Sequence, residues 1–202
     1  MNIKYLGTQY GGWVIDIDSI NDGDTIICGG TGEDISFEEE LMKFKKVRII
    51  EVDPTEKSHR FLESKMAQHG NIELIKAAIE KDGLDTIKLH KNKRPDHVSE
   101  SIFDQHMSVK GSGESYETKV ESLKNLIKTY NPSYIKIDIE GSEYNVYEEL
   151  LGVKQISIEF HHHCIPSKTL QDTKNVLNLF LVNGYSIINN RNFHEVTLLK
   201  NN

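Results

Sequence analysis

The sequence predicts an α/β fold on a mainly parallel sheet, and three observations point to it. Short apolar runs alternate with stretches of helical periodicity through the body of the chain. A glycine turn separates the first core run from the first helix, and three acids gather where a later run ends. Strands that alternate with helices are joined by right-handed crossovers and so lie parallel.

The segment Tyr5 to Ile17 opens with Gly7-Thr-Gln-Tyr-Gly-Gly-Trp13 and continues as a short apolar alternation, so residues 1–22 are expected to form an N-terminal flap. Thr25-Ile-Ile-Cys-Gly29 reads as the first core strand and Gly29-Gly-Thr-Gly32 as the turn that ends it. A helix follows from Ile35 to Phe44, with Phe37, Leu41 and Phe44 on one face. Val47 to Val52 is the next strand, stopped by Asp53-Pro54, and Phe61, Leu62 and Met66 mark a helix ending near Gly70. Glu73 to Ile79 and Asp85 to His90 flank the turn signal Lys81-Asp-Gly83 and are expected to pair as a hairpin. Residues 91–115, rich in Lys, Asn, Ser and Gly, are expected to be a substrate-side loop, because so long an irregular stretch in a compact domain is commonly functional.

Val120 to Tyr130 has helical spacing and is stopped by Asn131-Pro132. Ile135, Ile137 and Ile139 form a buried strand; Gly141-Ser142 breaks it, and Tyr144, Val146, Tyr147, Leu150 and Leu151 return to helical spacing. Gln155 to Phe160 is a strand and Lys168 to Val182 a helix ended by Asn183-Gly184. Tyr185 to Ile188 and Phe193 to Leu199 should close the chain as an antiparallel hairpin around Asn189 to Asn192. No internal repeat is present.

With 202 residues the chain suits one α/β domain, 1–202, better than two. A net charge of −7 without a long Lys/Arg run argues against a nucleic-acid partner. No segment approaches the ~20 apolar residues of a membrane span. Two cysteines, Cys28 and Cys164, suit a reducing compartment, so a cytoplasmic location is expected. A homo-oligomer is compatible with these properties.

Backbone N–H groups of a glycine turn between strand and helix can approach a ligand closely, and an acid about twenty residues later can accept ribose hydroxyls. Gly30, Gly32 and Asp53-Pro54 have that arrangement. Glu33 and Asp34 follow the turn at once, which disfavours a polyphosphate or NAD and favours an adenosine ligand with a cationic centre, such as S-adenosylmethionine. The same two acids would also complement a helix N-terminus. Asp138 and Glu140 lie at the carboxyl end of a strand, where ligands bind in open α/β sheets, with Glu143 just beyond.

Ile135-Lys-Ile-Asp-Ile-Glu-Gly-Ser-Glu143 resembles the Lys-x-Asp-x-Glu-Gly-x-Glu signature of the FkbM family of S-adenosylmethionine-dependent methyltransferases. Gly29-Gly-Thr-Gly-Glu-Asp-Ile-Ser-Phe37, Val52-Asp-Pro-Thr55, Tyr10-Gly-Gly-Trp13 and Glu159-Phe-His161 are similar to further segments of one branch of that family. The commoner form carries Asp in the first strand and Gly-Ala-Asn in the turn, where this chain has Ile26, Ile27 and Gly-Gly-Thr.

The resemblance implies a Rossmann-like class I methyltransferase fold, a mainly parallel seven-stranded sheet with a C-terminal antiparallel hairpin. It implies S-adenosylmethionine held by Gly30, Gly32, Glu33, Asp34, Asp53 and Pro54. Asp138, Glu159 and His161 are the candidate catalytic groups, His161 or Asp138 as general base. Glu140, Glu143 and Trp13 are expected to meet the acceptor, a hydroxyl of a sugar, a glycan precursor or a small metabolite.

A divalent metal held by His161, His162 and His163 with Glu159 and Asp138 is disfavoured, because consecutive residues of an extended segment point to opposite sides. Asn131-Pro-Ser-Tyr134 looks like a nitrogen-methylating motif but precedes the strand that such a motif follows, so it is a turn. A non-catalytic nucleotide-binding module, or an NAD-dependent oxidoreductase on the same sheet, are the alternatives.

Overall fold

A computed structural model describes residues 1–201. The elements are β1 (Ile3–Leu6), β2 (Trp13–Asp16), β3 (Thr25–Gly29), α1 (Ser36–Phe44), β4 (Arg48–Val52), α2 (Glu56–Met66), β5 (Ile72–Ile75), β6 (Ala78–Glu80) and β7 (Thr86–His90). They continue as β8 (Ser115–Ser122), α3 (Leu123–Tyr130), β9 (Tyr134–Ile137), α4 (Glu143–Val146), β10 (Gln155–Glu159), α5 (Leu170–Val182), β11 (Tyr185–Arg191) and β12 (Glu195–Lys200).

The central sheet has seven strands in the order β11-β12-β10-β9-β3-β4-β5. Only β12 runs against the others, pairing antiparallel with both β10 and β11. The Rossmann-like class I architecture implied by the resemblance is thus present, terminal hairpin included.

Side chains of a strand alternate between faces, and β3 shows the consequence. Ile27 joins a core with Ile135, Ile137, Ile156 and Ile158, covered by Leu123 and Leu126 of α3 and Val176, Leu177 and Phe180 of α5. Ile26 and Cys28 join a second core with Ile49 and Tyr134, covered by Phe37, Leu41 and Leu62. The helix ends follow from local chemistry. The Ser122 side chain accepts from the Asn125 N–H at the start of α3, and Asn131 closes that helix in a left-handed conformation, φ 45°. At the start of α5, Thr169 and Asp172 form a reciprocal capping box.

Two expectations need correction. Glu73 to Ile79 does not form a hairpin with Asp85 to His90. The run divides: β5 completes the edge of the central sheet, and β6 leaves it to pair in parallel with β8. β7 pairs antiparallel with β8, giving a separate three-stranded sheet in the order β6-β8-β7. The second correction is β8 itself, which the sequence reading divided between a loop and a helix. Its outward acids and lysine hide the alternation of Tyr116, Thr118 and Val120, and the N-cap at Ser122 marks where the helix begins. Residues 1–22 contribute the hairpin β1–β2, with Trp13, Ile15, Ile17 and Ile20 in the second core.

Candidate functional site

The cofactor end of the sheet is built by close contact between two strand ends. Gly30 has φ +72°, and a Cβ there would lie 1.6 Å from the Asp138 carbonyl oxygen, so no other residue fits between β3 and β9. The turn is then locked from the second strand. Asp53 accepts from the Gly32 N–H at 3.0 Å through one oxygen, and from the Thr55 N–H at 2.8 Å and hydroxyl at 2.7 Å through the other. Burial raises the Asp53 pKa, and those donors offset part of the rise. The structure therefore places Asp53 as the clasp of the turn, at the border of the cleft.

That cleft is a narrow slot of about 60 Å³. Gly30, Gly32, Asp53 and Pro54 form one side; Ala78, Ile79, Leu89, Val98 and Ile102 form an apolar wall; Asp138 and Glu140 stand at the end. An apolar slot beside a glycine turn and carboxylates fits an adenosine with a cationic sulfur. Val98, Glu100 and Ile102 come from the 91–115 segment, and sequence reasoning missed them because nothing periodic announces where that segment lies.

Two expected cofactor residues lie elsewhere. Glu33 is exposed and paired with Lys57 at 2.8 Å. Asp34 accepts from the Thr8 hydroxyl at 2.6 Å and the Ser36 N–H at 2.8 Å. Burial opposes its charge, but the bonds from Ser36 and Thr8 hold its pKa below the usual range. Asp34 borders a smaller hollow with Tyr10, Trp13, Gly30, Asp138 and Glu159, and so ties the N-terminal segment to the cofactor turn. Trp13 is a core residue with one edge on that hollow.

At the carboxyl ends of β9 and β10 an imidazole sits among carboxylates. His161 Nδ1 lies 3.1 Å from Glu143 Oε1, and its Nε2 lies 3.4 Å from Asp138, 3.5 Å from Glu140 and 3.8 Å from Glu159. Glu143, expected at the acceptor, is fully buried instead. It accepts from the His161 N–H at 2.9 Å and the Gly141 N–H at 2.8 Å, so it orients His161 and cannot reach a ligand. Burial disfavours the imidazolium, yet Glu143, then Glu140 and Asp138, hold the His161 pKa well above its ordinary value. The same contact depresses Glu143 against its own burial. Burial, followed by Glu159, pushes Asp138 well up, and burial pushes Glu159 up to about 7.

His106 arrives from the 91–115 segment, with Nε2 3.2 Å from Glu140 Oε2. Burial, and then His161, pull its pKa down to about 4. Glu140 holds a left-handed backbone, φ 51°, worth about 1–3 kcal/mol of strain in a non-glycine residue. The Ser101 hydroxyl donates to its carbonyl at 2.6 Å and helps to hold it there. Beyond these groups a wide basin of about 600 Å³ is lined by Tyr10, Ser99, Asp138, Glu140, Glu159, His163, Arg191 and His194. The three consecutive histidines diverge. His162 meets the Thr173 hydroxyl at 3.0 Å, and His163 meets His194 at 2.8 Å.

Under the glycine turn lies a second charged cluster. Lys136 Nζ is 2.5 Å from Glu38 Oε1, both side chains are buried, and Glu51 beside them accepts from the Thr31 hydroxyl. Burial, then Glu38, pushes the Glu51 pKa up to about 8. A raised carboxyl favours the folded state while protonated and loses that contribution as pH climbs from the ordinary range, near 4.5, toward 8. Glu51→Gln, which mimics the protonated acid, is therefore expected to raise the urea midpoint relative to wild type more at pH 8 than at pH 5. An equal difference at the two pH values would show that Glu51 does not titrate in this window.

Among solved structures, a precorrin-6Y C5,15-methyltransferase from Geobacter metallireducens superposes with TM-score 0.51 at 11% identity, covering 91% of this chain and 86% of that one. A fibrillarin from Methanococcus jannaschii gives 0.49 at 12% identity, covering 98% and 83%. An Aeropyrum pernix fibrillarin with natively bound S-adenosyl-L-methionine gives 0.45 at 12% identity, covering 88% and 66%. The first of these likenesses shows the class I methyltransferase fold. None of the curated proteins compared matches the chain in sequence. No helix among the described residues is long and apolar enough to cross a membrane. The model of the methyltransferase FkbM domain matches residues 21–187, and the chain belongs to that family of S-adenosylmethionine-dependent methyltransferases.

Proposed function

We propose that this methyltransferase acts on a hydroxyl of a polyhydroxy acceptor: a sugar, a glycan precursor or a small metabolite. The observation that carries the reading is a shared wall. Asp138 and Glu140 line both the cofactor cleft and the wide basin beyond it, so a sulfonium on one side and an acceptor on the other would meet across them. The basin is rich in carboxylates and imidazoles, which accept from and donate to hydroxyl groups.

S-adenosylmethionine, when bound, supplies an electrophilic methyl group. The protein aligns the acceptor oxygen and takes its proton. Asp138 is assigned the proton, because it stands in the wall shared by the two spaces, with His161 Nε2 3.4 Å from its Oδ1. Glu159 borders the basin and would hold a neighbouring hydroxyl. His161 is a positioning residue here, since its Nδ1 face is committed to Glu143. Cofactor contacts are assigned to the Gly30–Gly32 turn, Asp53 and Pro54, with Glu33 on the outside and Asp34 acting through the N-terminal segment.

The test is tritium transfer from labelled S-adenosylmethionine to a panel of sugars, sugar nucleotides and polyols, with titration of S-adenosylhomocysteine by calorimetry. Product binding with labelled methyl on an oxygen is expected. Binding with transfer only to nitrogen or carbon acceptors would overturn the hydroxyl assignment.

A further inference from the structure

We propose that His106, Glu140 and His161 form a binding site for one divalent cation of the kind that accepts imidazole and carboxylate together, such as zinc or manganese(II). Each imidazole is already oriented as such a site requires. His161 directs Nδ1 to Glu143; His106 Nδ1 meets the Ser108 hydroxyl at 2.7 Å and the Ser108 N–H at 3.2 Å, and with an ion on Nε2 it would carry its proton toward that hydroxyl. Metal-bound histidines are commonly fixed in this way, with the second nitrogen held by a carboxylate or another polar group and the first left for the ion.

The two Nε2 atoms converge on one oxygen. His106 Nε2 is 3.2 Å and His161 Nε2 is 3.5 Å from Glu140 Oε2. Donors around a tetrahedral cation with bonds of about 2.1 Å sit roughly 3.4 Å apart, so these separations already suit a shared ion.

An independent observation points the same way. His106 is 2% exposed, and its Nε2, 3.2 Å from Glu140 Oε2, makes no well-aligned hydrogen bond. A buried nitrogen so poorly paired costs stability, and a cation between it and Glu140 removes that cost. The site also has an entrance. His106, Glu140 and His161 border an open cavity of about 370 Å³, and Lys93 beside it is engaged by the Met107 carbonyl at 2.9 Å. Two imidazoles with one carboxylate favour transition cations over magnesium, which prefers oxygen alone. The ligand set differs from the His161-His-His163 run, whose second and third members point elsewhere.

Glu140 also borders the acceptor basin, so a cation here would present its open positions to the acceptor's oxygens. In that respect the inference deepens the hydroxyl-transfer reading and rests on it. Cation binding itself is measured without acceptor or turnover, so the two can fail separately.

Chelator-stripped full-length protein is titrated calorimetrically with zinc chloride, manganese chloride and magnesium chloride. One equivalent of zinc or manganese should bind with Kd near or below about 1 μM, and magnesium far more weakly. His106→Ala and Glu140→Gln should each weaken that binding by at least tenfold, whereas His163→Ala should not. His106→Ala should still bind S-adenosylhomocysteine, which shows that it is folded; if it is not folded, Glu140→Gln alone decides. No zinc or manganese binding at millimolar concentration overturns the proposal, as does a loss of affinity that follows His163 instead of His106 and Glu140.

Discussion

Asp138→Asn is expected to lower kcat by about 10²–10⁴-fold while leaving affinity for S-adenosylhomocysteine within a few-fold of wild type. Asparagine keeps the volume of the side chain and the backbone carbonyl that abuts Gly30, so the cofactor cleft should persist. It cannot take a proton, and it turns one acceptor oxygen toward the basin into an amide. Because Asp138 stands in the wall between cleft and basin, the loss should appear in kcat more than in KM. The measurement pairs single-turnover methyl transfer with calorimetric binding of the product cofactor. Activity retained within about tenfold would move the proton to another group, and Glu159 is next in place.

Glu143 gives the contrasting expectation. Its carboxylate is spent on the Gly141 and His161 N–H groups and on the imidazole, so its removal should act through the posture of His161. Asp138 meets the reacting groups and Glu143 holds a residue that adjoins them, although the sequence presents both simply as acids around a strand end.

The parallel body of the sheet was legible because its physics is local. β3, β4, β9 and β10 are short strands built around isoleucines and largely buried on both faces, and the helices between them carry one apolar stripe. Once those strands are parallel, Asp138, Glu140, Glu159 and His161 must end at the same edge, which is why these four could be placed together from sequence. Depth was not legible. Nothing in Glu-Gly-Ser-Glu distinguishes Glu140, which reaches the rim, from Glu143, which the fold buries; a positive φ at Glu140 and at Gly141 makes that difference.

The 91–115 segment hid the rest. Its course is set by long-range bonds, such as the Met107 N–H to the Cys164 carbonyl at 2.9 Å and the Ser101 hydroxyl to Glu140. Periodicity carries no trace of such bonds, so His106 and the apolar wall of Val98 and Ile102 could not be assigned to the site. Asp53 lines the cleft but carries a second duty. An acid at that position was expected to face ribose, but a neighbouring threonine and a glycine N–H claim both of its oxygens.

Lys136→Met is expected to destabilise the protein by about 3–5 kcal/mol, which for a domain of ordinary stability, about 5–15 kcal/mol, is roughly a fifth or more of the total. The lysine opens the Lys-x-Asp run and lies on β9, where a strand buried on both faces would be expected to carry an apolar side chain. Burial lowers a lysine's pKa, but Glu38 at 2.5 Å overcomes that and keeps the ammonium charged. Removing it leaves Glu38 buried with no counter-charge, a loss larger than the pair itself contributes. The double variant Lys136→Met/Glu38→Gln should therefore recover part of the stability, and recovery in urea unfolding separates loss of charge from loss of packing. Because Glu51 in the same cluster holds the Thr31 hydroxyl in the glycine turn, the single variant should also weaken S-adenosylhomocysteine binding more than the double variant does. Equal urea midpoints for Lys136→Met and wild type would mean that this buried pair does not support the turn, and cofactor affinity should then be unchanged as well.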